Sequence, residues 1–285
     1  MGEMVLRIWD VEHGACAMLH PLVDGIAGRL AMIDSGCMAQ WRPSTFIRQG
    51  LNRGTLDYLF ITNADQDHMS DLEGLEREGI FVDTLFRNPT YTGPEMYAIK
   101  SISGPVSADA QWYVQACGAY DTPTSLPFNA NMGGITANCF FNHYPQFTDT
   151  NDLSLVVFIE FAGFKILFPG DLEKPGWRSL LQRADFRAAL NGTNILVASH
   201  HGRESGFCKD VFNWVTPDAV VISDKPIAHA TQLMAPDYRR VTRDEGVIVR
   251  STMKTRHVLT TRRDGWIQFT VGSDGSYFID TECAG

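Results

Sequence analysis

The chain has 285 residues and a formal net charge of -9, enough length for one large core or two smaller ones. The acidic balance argues against a surface built to coat nucleic acid, and the apolar runs are too short and interrupted to cross a membrane. The start Met1-Gly2-Glu3-Met4 lacks a signal-peptide core, and Cys16, Cys37, Cys117, Cys139, Cys208 and Cys283 are scattered without a CxxC pair, so a reduced, cytoplasmic protein is expected.

The first predicted strand runs from Val5 to Val11. Cys16 to Leu22 and Arg29 to Asp34 follow as strands, with Asp24-Gly25 as the turn and Asp34-Ser35-Gly36 as a sharp exit. Pro43 to Leu51 reads as a helix. Leu56 to Ile61 reads as a buried strand and Met69 to Gly79 as an amphipathic helix. Between them stands Thr62-Asn63-Ala64-Asp65-Gln66-Asp67-His68, with His68 opening the helix. Carboxylates, an amide and an imidazole at this density suit one or two divalent cations. The plainer reading gives Asp65 and Asp67 to helix capping.

Val82 to Phe86 is a further strand. From Asn88 to Gly133 prolines interrupt the pattern, and Ala108 to Cys117 is its best helix. This stretch is expected as an insertion beside the core, either a substrate wall or a structural connection. Gly134 to Asn142 and Leu153 to Phe161 are strands. Ala162-Gly163 turns the chain into Phe164 to Phe168, which ends at Pro169-Gly170-Asp171. Helical material is expected over Trp177 to Leu190. Asn194 to Ala198 is a strand that ends at Ser199-His200-His201-Gly202. A helix near Phe207 to Trp214 leads to the strand Ala219 to Ser223, and His229 lies in the loop beyond. Val247 to Val249, His257 to Thr260 and Trp266 to Val271 are the last strands, with Asp264-Gly265 expected as a hairpin turn. No linker-like stretch divides the chain, so one domain over residues 1–285 is expected, as an αββα sandwich of two mixed sheets with outer helices.

Polar groups therefore collect at five strand ends: Asn63, Asp65, Asp67 and His68; Asn151 and Asp152; Asp171; His200 and His201; and His229. Asp10 and Asp34 are expected in turns or caps, or in support of ligands. His13, His20 and His143 are expected in structural or surface roles, and Phe140-Phe141 in the core.

These motifs in this order resemble the metallo-β-lactamase superfamily of metal-dependent hydrolases. Within it they are most similar to the soluble hydrolase domain of the ComEC-like DNA-uptake family. The resemblance rests on Trp9-Asp10-Val11-Glu12-His13-Gly14, Ile33 to Gly36, Asn63 to His68, Asn151 to Val156, Gly170-Asp171, Ser199 to Gly202, and His229, and so spans nearly the whole chain. The superfamily pattern is His-x-His-x-Asp-His. Asp65 at its second position is typical of ComEC-like domains, whereas Asn63 at the first departs even from those.

The resemblance implies two metal subsites. Asp67, His68, Asp171 and His229 would form the better-preserved one. Asp65, with Asp171 as a bridge and Asp152, would form the other, with Asn63 and Asn151 beside it. Manganese or zinc is implied, with magnesium as an alternative. Asp67 would orient or deprotonate the attacking water, and His200 or His201 would stabilise charge or protonate the leaving oxygen. The implied substrate is DNA or another nucleic acid, and a protein partner encoded alongside is compatible with it. The alternatives are hydrolysis of a small phosphodiester, ester or lactam, or a regulatory protein with a weakened site.

Overall fold

The computed structural model describes residues 2–102, 104–226 and 232–283. His229 lies outside the described residues. The chain opens with β1 (Gly2–Ile8), β2 (Ala17–Val23), β3 (Ile26–Ala27) and β4 (Ala31–Ile33). A first helical segment, α1 (Pro43–Thr45), continues into a wider π turn over Phe46–Gly50. Next come β5 (Thr55–Phe60), α2 (Gln66–Met69), α3 (Leu72–Arg77) and β6 (Phe81–Phe86). The insertion holds α4 (Gly93–Ser101), α5 (Ala108–Ala119) and α6 (Phe128–Asn131).

The second half gives β7 (Thr136–Phe140), β8 (Val156–Phe161), β9 (Phe164–Phe168), α7 (Lys174–Leu180), α8 (Ala184–Leu190), β10 (Ile195–Val197) and β11 (Ala219–Ile222). It closes with α9 (Ala235–Arg239), β12 (Val247–Val249), β13 (Lys254–Arg256), β14 (Val258–Thr260), α10 (Thr261–Asp264), β15 (Ile267–Val271) and β16 (Tyr277–Thr281).

The strands form two sheets. One runs β13-β12-β16-β15-β1-β2-β4-β5-β6, with β3 paired to β2; the other runs β14-β11-β10-β9-β8-β7. Period-two alternation sends Met4, Leu6 and Ile8 of β1 to the same buried cluster as Leu155, Val157 and Ile159, so this cluster lies between the sheets. The opposite faces are apolar too. Met32, Leu56 and Leu59 pack with Leu72, Leu75 and Tyr113 from α3 and α5. Phe158, Leu167, Leu196 and Val220 pack with Trp177, Leu180 and Phe186 from α7 and α8. Three buried clusters between four layers make the expected αββα sandwich.

Several expected elements change. The helix over Met69 to Gly79 is broken at Ser70-Asp71, and that over Trp177 to Leu190 at Leu181–Arg183. The material near Phe207 to Trp214 is a tight turn over Lys209–Asn213. Asp24-Gly25 does turn a hairpin, but between β2 and the short β3. Asp264-Gly265 is not a hairpin turn: β14 and β15 lie in different sheets, and α10 carries the chain across. Local turn chemistry reads the same for a hairpin and for a sheet-to-sheet crossover, so only the tertiary partners distinguish them.

In each sheet a run of parallel strands points the same way: β4, β5 and β6 in one, β9, β10, β11 and β14 in the other. Their C-terminal ends carry Asp34, the 62–68 loop, Asp171, His200, His201 and Ser223. Open α/β sheets present ligand sites at such ends.

Candidate metal centre

Asp67, His68, Asp171 and His201 come together, with one ligand atom from each lying within 4.8 Å of all the others. His68 sits on α2, Asp171 just past β9, and His201 just past β10. His68, Asp171 and His201 are buried, and Asp67 is partly exposed at the mouth. A small cavity lined by Ala15, Thr62, His68, Gly170, Asp171 and His201 lies beneath them.

Both imidazoles are held from behind. Asp34 Oδ2 lies 2.9 Å from His68 Nδ1, and its two oxygens also accept the Thr62 N–H at 2.7 Å and hydroxyl at 2.5 Å. His68 Nε2 thus faces Asp171 Oδ1 at 3.0 Å. His201 Nδ1 donates to the Ser223 carbonyl at 2.9 Å. Its Nε2 lies 3.1 Å from Asp67 Oδ2 and 3.6 Å from Asp171 Oδ1. That buried nitrogen still has no hydrogen bond of acceptable geometry. A bare Nε2 aimed among carboxylates, with Nδ1 fixed by a carbonyl, is the arrangement of a metal-ligating histidine. Two imidazoles and two carboxylates suit zinc or manganese better than magnesium. The residues present fit one divalent ion.

The backbone is forced to make this arrangement. His200 and His201 both adopt left-handed conformations, at φ 51° and 53°, and Asp34 does so at φ 60°. Each costs a non-glycine residue on the order of 1–3 kcal/mol. The 62–68 loop is also stitched to two others: Ala15 N–H donates to the Asp67 carbonyl at 3.2 Å and Ser35 N–H to the His68 carbonyl at 2.8 Å. Gly36 packs so closely that a Cβ there would meet the Asp67 carbonyl oxygen at 2.6 Å, and one on Gly14 would press on the same atom.

Charge follows geometry. Burial alone would raise the Asp67 carboxyl, but the close His201 nitrogen and the charges of His68, His201 and His13 hold it well below the usual range. Asp171 feels the same opposition between burial and the imidazoles and settles at about 2. His13 is pushed down to about 4, by burial first and then by the neighbouring His201.

The sequence had placed His201 among the catalytic groups; its Nε2 instead stands with the donors. Asp65 and Asp152 lie outside the cluster. Asp65 binds Lys100 Nζ at 2.7 Å and the Thr150 hydroxyl at 3.0 Å. Asp152 Oδ1 accepts the N–H groups of Glu173 and Gly176 at 3.1 and 3.0 Å, which caps the start of α7. Burial first, and then Asp149, push its carboxyl up to about 6. Asn63 accepts the Asp65 N–H and donates to Asn151 Oδ1, both at 2.9 Å. Asn151 in turn reaches Glu173 Oε1 at 3.4 Å. Asp10 accepts the Glu12 N–H in a local turn, and exposed His143 and half-buried His20 stand away from the centre.

Three side chains line the mouth: His13, expected in a structural or surface role, Arg203, unnoticed in the sequence, and His200, expected among the catalytic groups. His13 Nε2 lies 3.3 Å from Asp67 Oδ2, and its ring is 4.7 Å from that of His201. Arg203 spans the mouth, with one guanidinium nitrogen 3.4 Å from His200 Nε2 and another 3.5 Å from His13 Nε2. His200 Nδ1 lies 3.0 Å from both Glu173 Oε1 and the Ser205 hydroxyl.

No family model matches the chain, and no curated protein matches it. Solved structures do. CmlA, a diiron β-hydroxylase from Streptomyces venezuelae, superposes with a TM-score of 0.50 at 14% identity over 86% of this chain and 52% of CmlA. The E377D mutant of CmlA β-hydroxylase gives 0.50 at 13% identity, over 93% of this chain and 53% of that one. The chain therefore spans about half the length of CmlA. A Parabacteroides distasonis protein, named for an inferred metal-dependent hydrolase activity, aligns at a TM-score of 0.48 and 11% identity over 90% of this chain and 93% of its own. Two mixed sheets, outer helices and a donor cluster at the C-terminal strand ends give this chain the metallo-β-lactamase fold.

Proposed function

We propose that this chain is a metal-dependent hydrolase of phosphodiesters, with a nucleic-acid backbone as its substrate. The observation that carries the reading is Arg203 spanning His13 and His200 at the mouth of the Asp67, His68, Asp171 and His201 cluster. The shared fold also serves a diiron β-hydroxylase, so fold alone does not select hydrolysis. The side chains around the donors favour it.

A divalent ion bound by Asp67, His68, Asp171 and His201 would supply Lewis acidity toward a phosphoryl oxygen and toward water. The Arg203 guanidinium is a fixed fork of donors that matches phosphate oxygens. Burial lowers the His13 imidazole, and its Nε2, 3.3 Å from Asp67 Oδ2, is placed to take the proton that an attacking water there would give up. His200, steadied by Glu173 and Ser205, is placed to hydrogen-bond the leaving oxygen.

The test is cleavage of single- and double-stranded DNA and RNA, and of bis(p-nitrophenyl) phosphate, with Mn²⁺ or Zn²⁺. Cleavage of a nucleic acid by the wild type and not by Asp67→Ala is the expected result. A net charge of -9 and an insertion that packs against the metal loop favour a small phosphodiester as the second reading. Turnover of the chromogenic substrate alone would select it.

A further inference from the structure

We infer that this chain carries one catalytic ion and that the Lys100 ammonium, delivered by the insertion, takes the place of a second. The inference rests on the metal centre proposed above. Among the described residues, a second ion in the subsite that Asp65 would share with Asp171 would have to draw on Asn63, Asp65 and the 151–152 stretch. Asp65, Asn63 and Asn151 already have protein donors on every side-chain oxygen, and Asp152 has two on Oδ1. Both Asp65 oxygens accept the Thr150 hydroxyl at 3.0 Å, and Oδ1 also accepts Lys100 Nζ at 2.7 Å. Asn63 Oδ1 is closed by the Asp65 N–H, and Asn151 Oδ1 by the Asn63 amide. Asp152 Oδ1 is committed to the start of α7.

The charge balance points the same way. Asn63 and Asn151 beside Asp65 are neutral, so the Lys100 ammonium balances the one carboxylate it touches, that of Asp65. The Lys100 side chain is 19% exposed and that of Asp65 33%, so the pair is partly removed from water. An incoming divalent ion would have to expel the ammonium and strand it without its partner, a loss that partly buried ion pairs resist.

The placement is built into the fold. Helix α4 is fixed at its start by a capping box between Thr92 and Glu95 and held by buried Met96, which brings Lys100 in its last turn over the 62–68 loop. Asn63, Asn151, Glu173 and His200 then link that loop to Asp171 through successive polar contacts. An ammonium in this position can neutralise an anionic oxygen but does not acidify water as a divalent ion held by Asp67, His68, Asp171 and His201 would.

The test is a metal count on protein incubated with excess Mn²⁺ or Zn²⁺ and desalted, together with electron paramagnetic resonance of the manganese form. Wild type and Lys100→Arg should hold about one ion per chain, with the spectrum of an isolated ion. The Asn63→His, Lys100→Met double variant, which restores an imidazole and removes the competing cation, should rise to about two ions with a coupled spectrum. Two ions in the wild type would overturn the inference. So would a folded double variant that stays at one, since the lysine would then not be what excludes the second. Should the double variant fail a thermal-melt check of folding, the wild-type count and spectrum still decide the matter. No ion in the wild type would instead bring down the metal centre itself.

Discussion

His201 Nδ1 donates to the Ser223 carbonyl at 2.9 Å, and that one bond decides what the other side of the ring can do. With Nδ1 spoken for, Nε2 is the ring atom that faces the space between Asp67 and Asp171. The bond joins the ends of β10 and β11, so the neighbouring strand sets the donor's direction. Asp67→Ala removes a donor that His201 and His13 both face. Metal content of the purified variant should fall from about one ion per chain to near none, and affinity by more than about 100-fold. Elemental analysis and calorimetric titration check this.

Asp34 does for His68 what Ser223 does for His201, and it also ties down Thr62. Asp34→Asn keeps the shape but weakens the hold on the imidazole. Metal affinity should drop by about 10- to 100-fold while saturating metal restores full occupancy, as calorimetry would show.

Gly36 touches the Ala15 and Asp67 backbones at distances that leave no room for a methyl group. Gly36→Ala should cost about 1–3 kcal/mol of stability by overpacking. It should also weaken metal binding, because the carbonyl that must move belongs to a donor. Denaturant melts with and without metal separate the two effects.

Arg203 contacts two imidazoles at the mouth and none of the four donors. Arg203→Gln should leave the metal count unchanged and raise KM for an anionic substrate by about 10-fold or more, the loss of a charge-assisted bidentate contact. Steady-state kinetics alongside the metal count tests both halves.

The raised Asp152 carboxyl gives a pH signature. Its folded value of about 6 lies above the ordinary aspartate value of about 3.9, so between these the folded state binds more protons than the unfolded one. Its contribution is present below pH ~4 and is lost as pH rises through about 6. Asp152→Asn keeps an acceptor for the Glu173 and Gly176 N–H groups without the charge. The variant should therefore gain stability relative to wild type between pH 5 and 7, read from paired melts across that range.

The sequence was informative where chemistry is dense in a short span. Asp67 and His68 are adjacent, Asp171 follows a β-hairpin, and His201 sits in a histidine pair after an apolar strand, so all four announce themselves locally. Asp152 misled because an acidic residue before a strand looks alike whether it faces a metal or caps a helix; only the position of α7 separates the two. Lys100 left no local sign, since a lysine in the last turn of a helix is ordinary and its partner lies 35 positions earlier. Arg203 stands two positions after the histidine pair, past Gly202, where an arginine is ordinary and gives no sign of the mouth's charge. The sandwich was legible because β-branched and aromatic runs mark its strands. The short edge strands β3 and β13 and the final strand β16 were not, because two or three exposed residues, or a strand recognised mainly by its partner β15, carry little pattern of their own.

Strand β1 is hydrogen-bonded on one side to β2 and on the other to β15, some 260 residues later. While the chain emerges from a ribosome, the first strand must wait for nearly all the rest before its second edge is covered. Asp34, Asp67 and Asp171 are translated long before the sheet that carries the first two can close. Such long-range pairing makes folding slow. The sheet behind the Asp34 and Asp67 loops is therefore completed only once β15 has been made.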